Sequence, residues 1–328
     1  MHLVPALVKV ITVVAACAAA SLPPASMAQS VPGLPKQIQL VVPFSPGGST
    51  DLFGRVVAQR LAARTGGAVV VDNKPGAGGM IGADFVSRAT PDGATLMLTA
   101  SDLSTGAAVA KKLAFDPEKG LATVAMLATG PMLLVVRADS PYRSAEQLME
   151  AARQNKGGLN YGSAGIGSLH HLSGELFTSM GRLEMTHVPY KGSAPAVQDL
   201  IAGRIQAMIA SFPATLSHIK GDKLRALAVT SLSRSKFSPD LPTVSSVIPG
   251  YQVDIWWGVF APGATQQPLL DRLNAELRAV VAMPEMRDTF DREGADPASM
   301  SAAEAHAFYR ADIEKWRVIA RARNISVD

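Results

Sequence analysis

Short apolar runs alternate along the chain with segments in which apolar residues recur every three or four positions. Short runs bounded by turn-forming residues are typical of strands in a buried sheet, and the longer periodic segments are typical of amphipathic helices. The pattern predicts strands at residues 40–44, 68–71, 95–98, 132–136, 159–161, 185–188, 205–210 and 224–230. Repeated alternation of strand and helix predicts an α/β fold with a parallel or mixed sheet.

Three of the predicted helices have clear sequence signals. The first follows the first strand, and an apolar stripe through Leu52, Val56 and Ala63 would pack it on the sheet. The segments 144–147 (SAEQ) and 301–304 (SAAE) are capping boxes, in which a Ser and a Gln or Glu three residues later satisfy the first amides of a helix. Helices are therefore expected to begin at both places.

The N-terminal segment has the features of a secretory signal peptide. Lys9 precedes an apolar run that is shorter than the roughly 20 residues needed to span a bilayer, and Ser26 and Ala28 fit a cleavage site. We therefore predict a signal peptide over residues 1–28, cleavage after Ala28 and export to the periplasm. Cys17 follows two alanines, an arrangement that also resembles a bacterial lipoprotein site, so a lipid anchor at Cys17 is the alternative.

Composition and charge narrow the class of protein. The formal net charge is +4 at pH 7, of which Lys9 contributes one, and the basic residues are scattered among acidic ones. A nucleic-acid partner is not expected, because proteins that bind a phosphate backbone cluster their basic residues. The only cysteine is Cys17 in the exported segment, so the mature chain is expected to have no disulfide and no cysteine metal site. The mature length is sufficient for two domains.

Two Gly- and Ser-rich loops stand between a predicted strand and a predicted helix, at residues 43–51 (PFSPGGSTD) and 161–168 (YGSAGIGS). Glycines let the backbone approach a ligand closely, and the unpaired amides at a helix N-terminus favour an anion. The loops therefore predict a site in which two facing helix N-termini hold a carboxylate or phosphate without a charged side chain. The same sequences are also typical of ordinary turns whose Thr, Asp and Ser residues cap a helix.

Five motifs are spread in order over nearly the whole mature chain. They are IQLVVPF with PGGSTD (residues 38–44 and 46–51), VDNKPGAGG with IGA (71–79 and 81–83), YGSAG (161–165), HVPYKGSAPA (187–196) and KLRALAVT (223–230). Further matches are DLPTV (240–244), PGY (249–251), WG (257–258) and AP (261–262). In these motifs the chain resembles the periplasmic binding receptors of the tripartite tricarboxylate transporter family, often called Bug proteins.

The resemblance implies a type II periplasmic-binding-protein fold, with two α/β lobes, a ligand cleft between them and a chain that crosses between the lobes twice. With crossings near Thr129 and Asp254, lobe one would comprise residues 29–129 plus 254–328, and lobe two residues 130–253. Closure of the cleft by a hinge motion would be the signal that a membrane transporter reads. The partners that the resemblance implies are a small organic acid or amino acid and membrane transporter subunits. No nucleic acid and no cofactor are expected, and the receptor is expected to be a monomer.

The resemblance also implies that backbone amides and hydroxyls from loops of both lobes hold a carboxylate. Neutral donors suit a receptor that must release its ligand as well as bind it. At the matching positions of lobe one, the expected ligand-binding residues are Phe44, Gly48, Ser49, Thr50, Asp51 and Ser101. Those of lobe two are Ser163, Ala164, Gly165, Ser168, Tyr190, Gly192 and Ser211 or Phe212.

Several residues keep two interpretations. Asp51 either binds an ammonium group or a bridging water, or stands in a first helical turn, where the helix dipole favours a carboxylate. Lys191 either attracts an acid or is a solvated side chain beside a turn. Trp256 and Trp257 point to opposite faces of a strand, so one is expected in the core while the other could line the cleft. Ser211 stands where many relatives have an acidic residue, which favours an aromatic or less polar acid as ligand.

Common catalytic and metal-binding motifs do not occur in the sequence. There is no His-Glu-x-x-His, Gly-x-Ser-x-Gly or Walker sequence, and Ile81 stands where the dinucleotide-binding fingerprint has a glycine. His170 and His171 diverge on a helix, so no metal site is predicted. We therefore predict a binding protein that is not an enzyme. Two alternatives are a sensor that presents its closed form to a signalling protein, and a periplasmic enzyme acting on an organic acid.

Overall fold

The computed structural model describes residues 33–155, 158–322 and 325. The predicted signal peptide, its cleavage site after Ala28 and the alternative anchor at Cys17 lie outside the described residues. Across the described ranges, no helix combines the length and the apolar character that crossing a membrane requires.

The secondary structure alternates between strands and helices, as the hydrophobic pattern predicts. The strands are β1 Gln37–Val42, β2 Ala68–Asn73, β3 Thr95–Ala100, β4 Leu121–Arg137, β5 Asn160–Ser163, β6 Thr186–Pro189, β7 Ala207–Ser211, β8 Leu224–Val229, β9 Asp254–Pro262 and β10 Asp296–Pro297. The helices are α1 Ser49–Thr65, α2 Met80–Ser87, α3 Asp102–Val109, α4 Ala145–Gln154, α5 Leu169–Gly181, α6 Ser193–Ile201, α7 Phe212–Lys220, α8 Gln267–Ala282, α9 Pro284–Arg292 and α10 Ala302–Ala322.

The strands form one mixed sheet in the order β2-β1-β3-β9-β4-β7-β5-β6, with β8 and β10 also paired to β4. β1 runs parallel to β2 and β3, and β5 runs parallel to β6 and β7. β9 is antiparallel to both β3 and β4. The fold is therefore α/β with a mixed sheet, which confirms the prediction.

The sheet has two halves that share the long strand β4. The first half contains β2, β1, β3 and β9, and the second half contains β7, β5, β6 and β8. The residues of β4 up to Pro131 pair with β9, and from Met132 onward β4 pairs with β7 and β8. The chain returns at the start of β9, where Asp254 pairs with Pro131, while the preceding Val253 donates its amide to Thr230. The change of partner lies close to the crossings expected near Thr129 and Asp254. The division of the chain into lobes at those residues stays a proposal.

Helix α1 packs on the sheet through a stripe that only partly matches the predicted one. Phe53, Val57 and Leu61 are at most 1% exposed, whereas Ala63 is exposed to solvent. Leu52 and Val56 are half-buried and pack against the same core cluster, so the predicted face is confirmed for these two residues and wrong for Ala63. The ring of Phe53, which packs against Trp257, forms the centre of the buried face.

The two capping boxes begin helices as predicted. The Ser144 hydroxyl accepts the Gln147 amide at 3.3 Å, one residue before α4 begins. Ser301 and Glu304 bond reciprocally before α10, with the Ser301 amide donating to the carboxylate at 2.8 Å and the Glu304 amide donating to the hydroxyl at 3.3 Å. Both caps satisfy amides that a helix leaves unpaired at its start.

Candidate functional site

The N-termini of two helices from opposite halves of the sheet face each other closely. α1 begins at Ser49, directly after the glycines that follow β1, and α6 begins at Ser193, directly after Gly192. A Cβ added to Gly48 would lie only 2.7 Å from the Ser193 hydroxyl, so a larger residue at this position would force the Ser193 side chain to move. Amides at helix N-termini carry a partial positive charge, and this arrangement therefore favours an anion.

A small cavity lies at this junction. Its volume is about 10 Å³, which is room for about one water molecule. The hydroxyl-bearing residues Ser49 and Thr50 line it from one side and Ser193 from the other. The complete lining is Phe44, Gly48, Ser49, Thr50, Asp102, Ala164, His170 and Ser193.

The cleft is closed in this structure, because several hydrogen bonds join the two sides directly. The amide and hydroxyl of Ser45 both donate to the Lys191 carbonyl, at 3.1 and 2.7 Å. The Thr105 hydroxyl donates to the Gly167 carbonyl at 2.8 Å. A ligand larger than one water therefore requires the two sides to move apart.

Five of the expected ligand-binding residues line the cavity, namely Phe44, Gly48, Ser49, Thr50 and Ala164. Two more expected glycines lie at contacts between the halves. Gly165 has φ +131° and packs against Gly78, and Gly192 has φ +135° and packs against Phe44 and Ser45. The structure therefore brings seven of the sequence-predicted positions together at the cleft.

Asp51 is engaged within its own half of the molecule. Its carboxylate accepts hydrogen bonds from the Gly47 amide, the Arg55 guanidinium and the Asn73 amide group, each at 2.9 Å. Burial acts to raise the pKa of Asp51, but these hydrogen bonds outweigh it and hold the pKa below the usual range. This geometry matches the interpretation of Asp51 as a residue that fixes the start of α1.

Ser163 and Ser168 hold the second Gly-rich loop in place. The Ser163 hydroxyl lies 2.6 Å from Nε2 of His187 and also accepts the Gly165 amide at 3.1 Å. The Ser168 hydroxyl accepts the His171 amide at 3.2 Å and so caps α5. Both hydroxyls already have protein partners in the closed form.

The remaining expected ligand residues are not among those that line the cavity. The Ser101 hydroxyl accepts the Trp256 amide at 2.8 Å, and the Tyr190 hydroxyl donates to Asp199 at 2.8 Å. The Ser211 hydroxyl is fully buried and has no hydrogen-bond partner within the described ranges. Phe212, the alternative at the fourth loop, is 1% exposed and belongs to the core of the second half.

Lys191 and the two tryptophans do not line the cavity. Lys191 is exposed, and it contributes to the closed cleft through its backbone carbonyl. Trp256 and Trp257 are 2% and 1% exposed and belong to different hydrophobic clusters. Their side chains therefore point to opposite faces of β9, as expected from adjacent strand residues, and both are core residues.

Three residues of the cavity lining were not predicted from the sequence: Asp102, His170 and Ser193. Asp102 is the first residue of α3, and its Oδ1 atom accepts the Leu169 amide of α5 at 3.0 Å across the cleft. Ser193 follows the expected Gly192, and Asp102 follows the expected Ser101. A rule that takes the first helical residue after each loop would have found both.

The site has the chemistry of an anion-binding cleft. Its donors are the first-turn amides of α1 and α6 and the hydroxyls of Ser49, Thr50 and Ser193, and no Lys or Arg side chain is among the residues that line it. Within the part of the chain that the structure describes, no group of three or more His, Cys, Asp or Glu residues is arranged to hold a metal ion. The arrangement favours binding of a small acid.

Comparisons with known proteins agree with this description. The model of the tripartite tricarboxylate transporter family receptors matches residues 53–325. A protein from the tcbD-tcbE intergenic region of Pseudomonas sp. strain P51 is 36% identical over 93% of this chain and 92% of its own length. The periplasmic binding protein BugD superposes with a TM-score of 0.85 at 32% identity, over 88% of this chain and 98% of that one.

A solved structure also relates the fold to a ligand. The R. palustris protein Rpa4515, whose structure was solved with adipate, has a TM-score of 0.84 and 34% identity, over 88% of this chain and 98% of that one. These proteins are solute-binding receptors with two lobes, and they are not enzymes. The chain belongs to the family of tripartite tricarboxylate transporter receptors, the Bug proteins.

Proposed function

We propose that this chain captures a small carboxylate-bearing molecule between its two lobes and delivers it to the membrane subunits of a tripartite tricarboxylate-type transporter. The observation that carries the proposal is the facing of the α1 and α6 N-termini across a closed cleft, with Gly48 close to the Ser193 hydroxyl. Membership of the receptor family supports the class of function, and adipate in a related structure supports the class of ligand.

The carboxylate would bind between these two helix N-termini. In the open cleft, amides of the first turns and the hydroxyls of Ser49, Thr50 and Ser193 would surround it. Each hydrogen bond to a charged group contributes about 1.5–3 kcal/mol, and a micromolar complex requires about 8 kcal/mol. A few such bonds, reduced by the cost of ordering the ligand, reach that free energy without a lysine or arginine.

Capture is proposed to couple to hinge closure. With lobe one as residues 29–129 plus 254–328 and lobe two as 130–253, the crossings lie where β4 changes partner and where β9 begins. Ligand would draw the lobes together by contacting both, and the closed form would be the one that membrane subunits recognise. The signal peptide over residues 1–28 would place the receptor in the periplasm.

A thermal-shift screen of the mature protein tests the proposal. The panel comprises dicarboxylates, tricarboxylates, amino acids and aromatic carboxylates, together with uncharged amides of the same acids. An acid at 100 times its dissociation constant should stabilise the protein by about 2.7 kcal/mol and raise the melting temperature by a few degrees. The matching amide should give no shift.

Titration calorimetry then tests the site. A Ser49→Ala/Ser193→Ala variant should bind the acid at least about tenfold more weakly, since it removes a donor from each lobe. Ser299→Ala is the matched control, because it removes an exposed hydroxyl that is not among the residues lining the cavity. Equal affinity in all three proteins would contradict the site. Uptake of the acid by cells with and without the receptor tests delivery.

A further inference from the structure

Asp102 lies with its carboxylate at the N-terminus of a helix from the opposite side of the cleft. It is 1% exposed and begins α3, and its Oδ1 atom accepts the amide of Leu169, the first residue of α5, at 3.0 Å. The helix dipoles of α3 and α5 both favour a negative charge at this point. The protein therefore supplies its own carboxylate to the α5 N-terminus.

His170 lies beside Asp102 in the same cavity and has no hydrogen-bond partner. The side chain is 4% exposed, and neither of its ring nitrogens is hydrogen-bonded to any atom within the described ranges. Its Nδ1 atom is 3.5 Å from Oδ1 of Asp102, which is longer than an ordinary hydrogen bond. Buried polar groups in native proteins nearly always have a hydrogen-bond partner. A polar group of a bound ligand could supply that partner to the His170 ring.

The residues that line the cavity thus form two chemically different groups. In the first group, the α1 and α6 N-termini and the hydroxyls of Ser49, Thr50 and Ser193 suit a carboxylate. In the second group, Asp102 already supplies an anion to the α5 N-terminus. No lysine or arginine side chain is among the lining residues to offset a further negative charge beside Asp102. Like charges at contact distance repel strongly in a site from which water is excluded.

We infer that Asp102 makes this receptor selective for acids that carry a single carboxylate, and that His170 binds an uncharged polar group at the far end of the same ligand. The inference rests on the proposed function, since it assumes that the cleft binds an acid. It gives this chain a preference different from that of the R. palustris relative solved with adipate, which is a dicarboxylate. Asp102 acts on the ligand directly by repulsion.

Calorimetry with matched acids tests the selectivity. The probes are butyrate with succinate, hexanoate with adipate, and benzoate with terephthalate, each pair differing by one carboxylate. Wild-type protein should bind the monocarboxylate of a pair at least about tenfold more tightly. Asp102→Asn keeps the shape and an acceptor for the Leu169 amide but removes the charge, so it should reduce that ratio at least tenfold. Asp240→Asn, an exposed carboxylate in a loop, is the matched control.

His170 is tested with a second pair of probes, hexanoate and 6-hydroxyhexanoate. Wild-type protein should prefer the hydroxy acid, and His170→Leu should lose that preference while it retains affinity for hexanoate. His218→Leu is the control, because it removes a histidine from α7, outside the cavity. Equal loss of affinity for both acids in His170→Leu would overturn the assignment of His170.

A measurement without any ligand tests the position of Asp102. Hydrogen exchange of residues 165–172 should be faster in Asp102→Ala than in wild type, because the Leu169 amide loses its acceptor. Unchanged exchange would overturn the inference. Dicarboxylates that bind as tightly as monocarboxylates, with a ratio that Asp102→Asn does not alter, would also overturn it and leave the proposed function intact. Absence of binding by every acid would overturn the proposed function and this inference with it.

Discussion

The Ser163 hydroxyl lies 2.6 Å from Nε2 of His187, directly beneath the second Gly-rich loop of the cleft. The His187 ring stacks on that of His171, with centroids 3.9 Å apart, and on that of Tyr161 at 5.1 Å. Nδ1 of His171 in turn accepts the Gly167 amide at 3.2 Å. The loop that contributes Ala164 to the cavity is therefore anchored by hydrogen bonds to two stacked histidines, His171 and His187.

These histidines predict that acid destabilises the protein. Burial and the neighbouring His171 lower the pKa of His187 to about 3, and burial lowers that of His171 despite the opposing effect of Glu175. Both rings ionise near 6.5 once unfolded, so between about pH 6.5 and pH 3 the unfolded chain binds more protons. The contribution of these two neutral histidines to stability is therefore complete above pH 6.5 and is lost as the pH falls. Calorimetric melting temperatures at pH 7 and pH 4.5 should show this decrease.

A substitution identifies the source of the pH dependence. His187→Gln should flatten the decrease in melting temperature between pH 7 and pH 4.5, since it removes one of the two groups that must become charged. His218→Gln, a change near the C-terminal end of α7, should retain the wild-type slope. An identical slope in His187→Gln and wild type would show that the proton uptake occurs elsewhere.

Replacing Asp51 is expected to destabilise the protein more than replacing the aspartate of a similar but more exposed ion pair. Asp51→Asn removes a charge that accepts three hydrogen bonds, and it should cost about 1–3 kcal/mol in urea unfolding. Asp84 and Arg88 form the same i,i+4 pair at 2.9 Å, but both are more exposed. Asp84→Asn should therefore cost at most about 0.5 kcal/mol. Similar losses in the two variants would contradict the role given to Asp51.

The pH dependence of the Asp51 effect has a definite sign. Because the folded pKa of Asp51 lies below its unfolded value of about 3.8, its contribution is complete above that pH. The contribution is lost as the pH falls through the lower folded pKa. The difference between wild type and Asp51→Asn should therefore narrow in acid, and urea titrations at pH 7 and pH 2.5 would measure it.

Local patterns made most of the fold predictable, and the exceptions have physical causes. The strand, Gly-rich turn and helix around Ser49 could be predicted because their signals are adjacent in sequence. The first half of β4 was missed, since Gly130-Pro131 is a pair typical of turns. The strand continues through Pro131 because its partner changes from β9 to β7 and β8 there.

The half of the site formed by residues distant in sequence could not be predicted in the same way. Asp102 and Leu169 are 67 positions apart, and only the docking of α3 against α5 brings the carboxylate to the amide. His170 has the sequence context of an ordinary helical residue, and its lack of a partner depends on packing from both lobes. Ser163 was expected at the ligand because it sits in the loop, but its partner His187 is 24 positions away. Ser168 instead caps α5 through the nearby His171 amide, which matches the alternative interpretation of this loop as a turn whose Ser caps a helix.

Because the two halves pack closely at Gly78 in the closed cleft, adding one methyl group there is expected to weaken binding of the acid. Gly78 has φ +60°, and a Cβ there would overlap the Ile166 carbonyl oxygen and lie 3.3 Å from the Ser168 amide of the other half. Gly78→Ala should weaken acid binding at least about tenfold by holding the lobes apart. Gly250→Ala is the matched control: Gly250 has φ +80°, so alanine is similarly strained, but nothing lies within 4 Å.

The two variants separate backbone strain from blocked closure. Both should lose about 1 kcal/mol of stability, because alanine is disfavoured at positive φ. Only Gly78→Ala should show a larger radius of gyration by small-angle scattering in the presence of saturating ligand. Tight binding and full compaction in Gly78→Ala would contradict the closed cleft as the binding form.

Two adjacent tryptophans predict unequal effects of the same substitution. Nε1 of Trp256 donates to Asp312 at 2.8 Å, and Ser104 donates to the same carboxylate, whereas Nε1 of Trp257 has no partner within the described ranges. Burial raises the pKa of Asp312, and these two hydrogen bonds oppose that increase. Trp256→Phe and Trp257→Phe remove similar ring volume from the core, but only the first takes a donor from a carboxylate.

Trp256→Phe should therefore be the more destabilising change by about 1.5–3 kcal/mol at pH 7, the contribution of a hydrogen bond to a charged group. The excess should shrink in acid, because Asp312 deprived of a donor becomes protonated more readily and a neutral carboxyl needs that donor less. Urea unfolding of both variants at pH 7 and pH 4 measures the two differences. Equal losses at pH 7 would mean that the bond between Trp256 and Asp312 adds nothing beyond the packing of the ring.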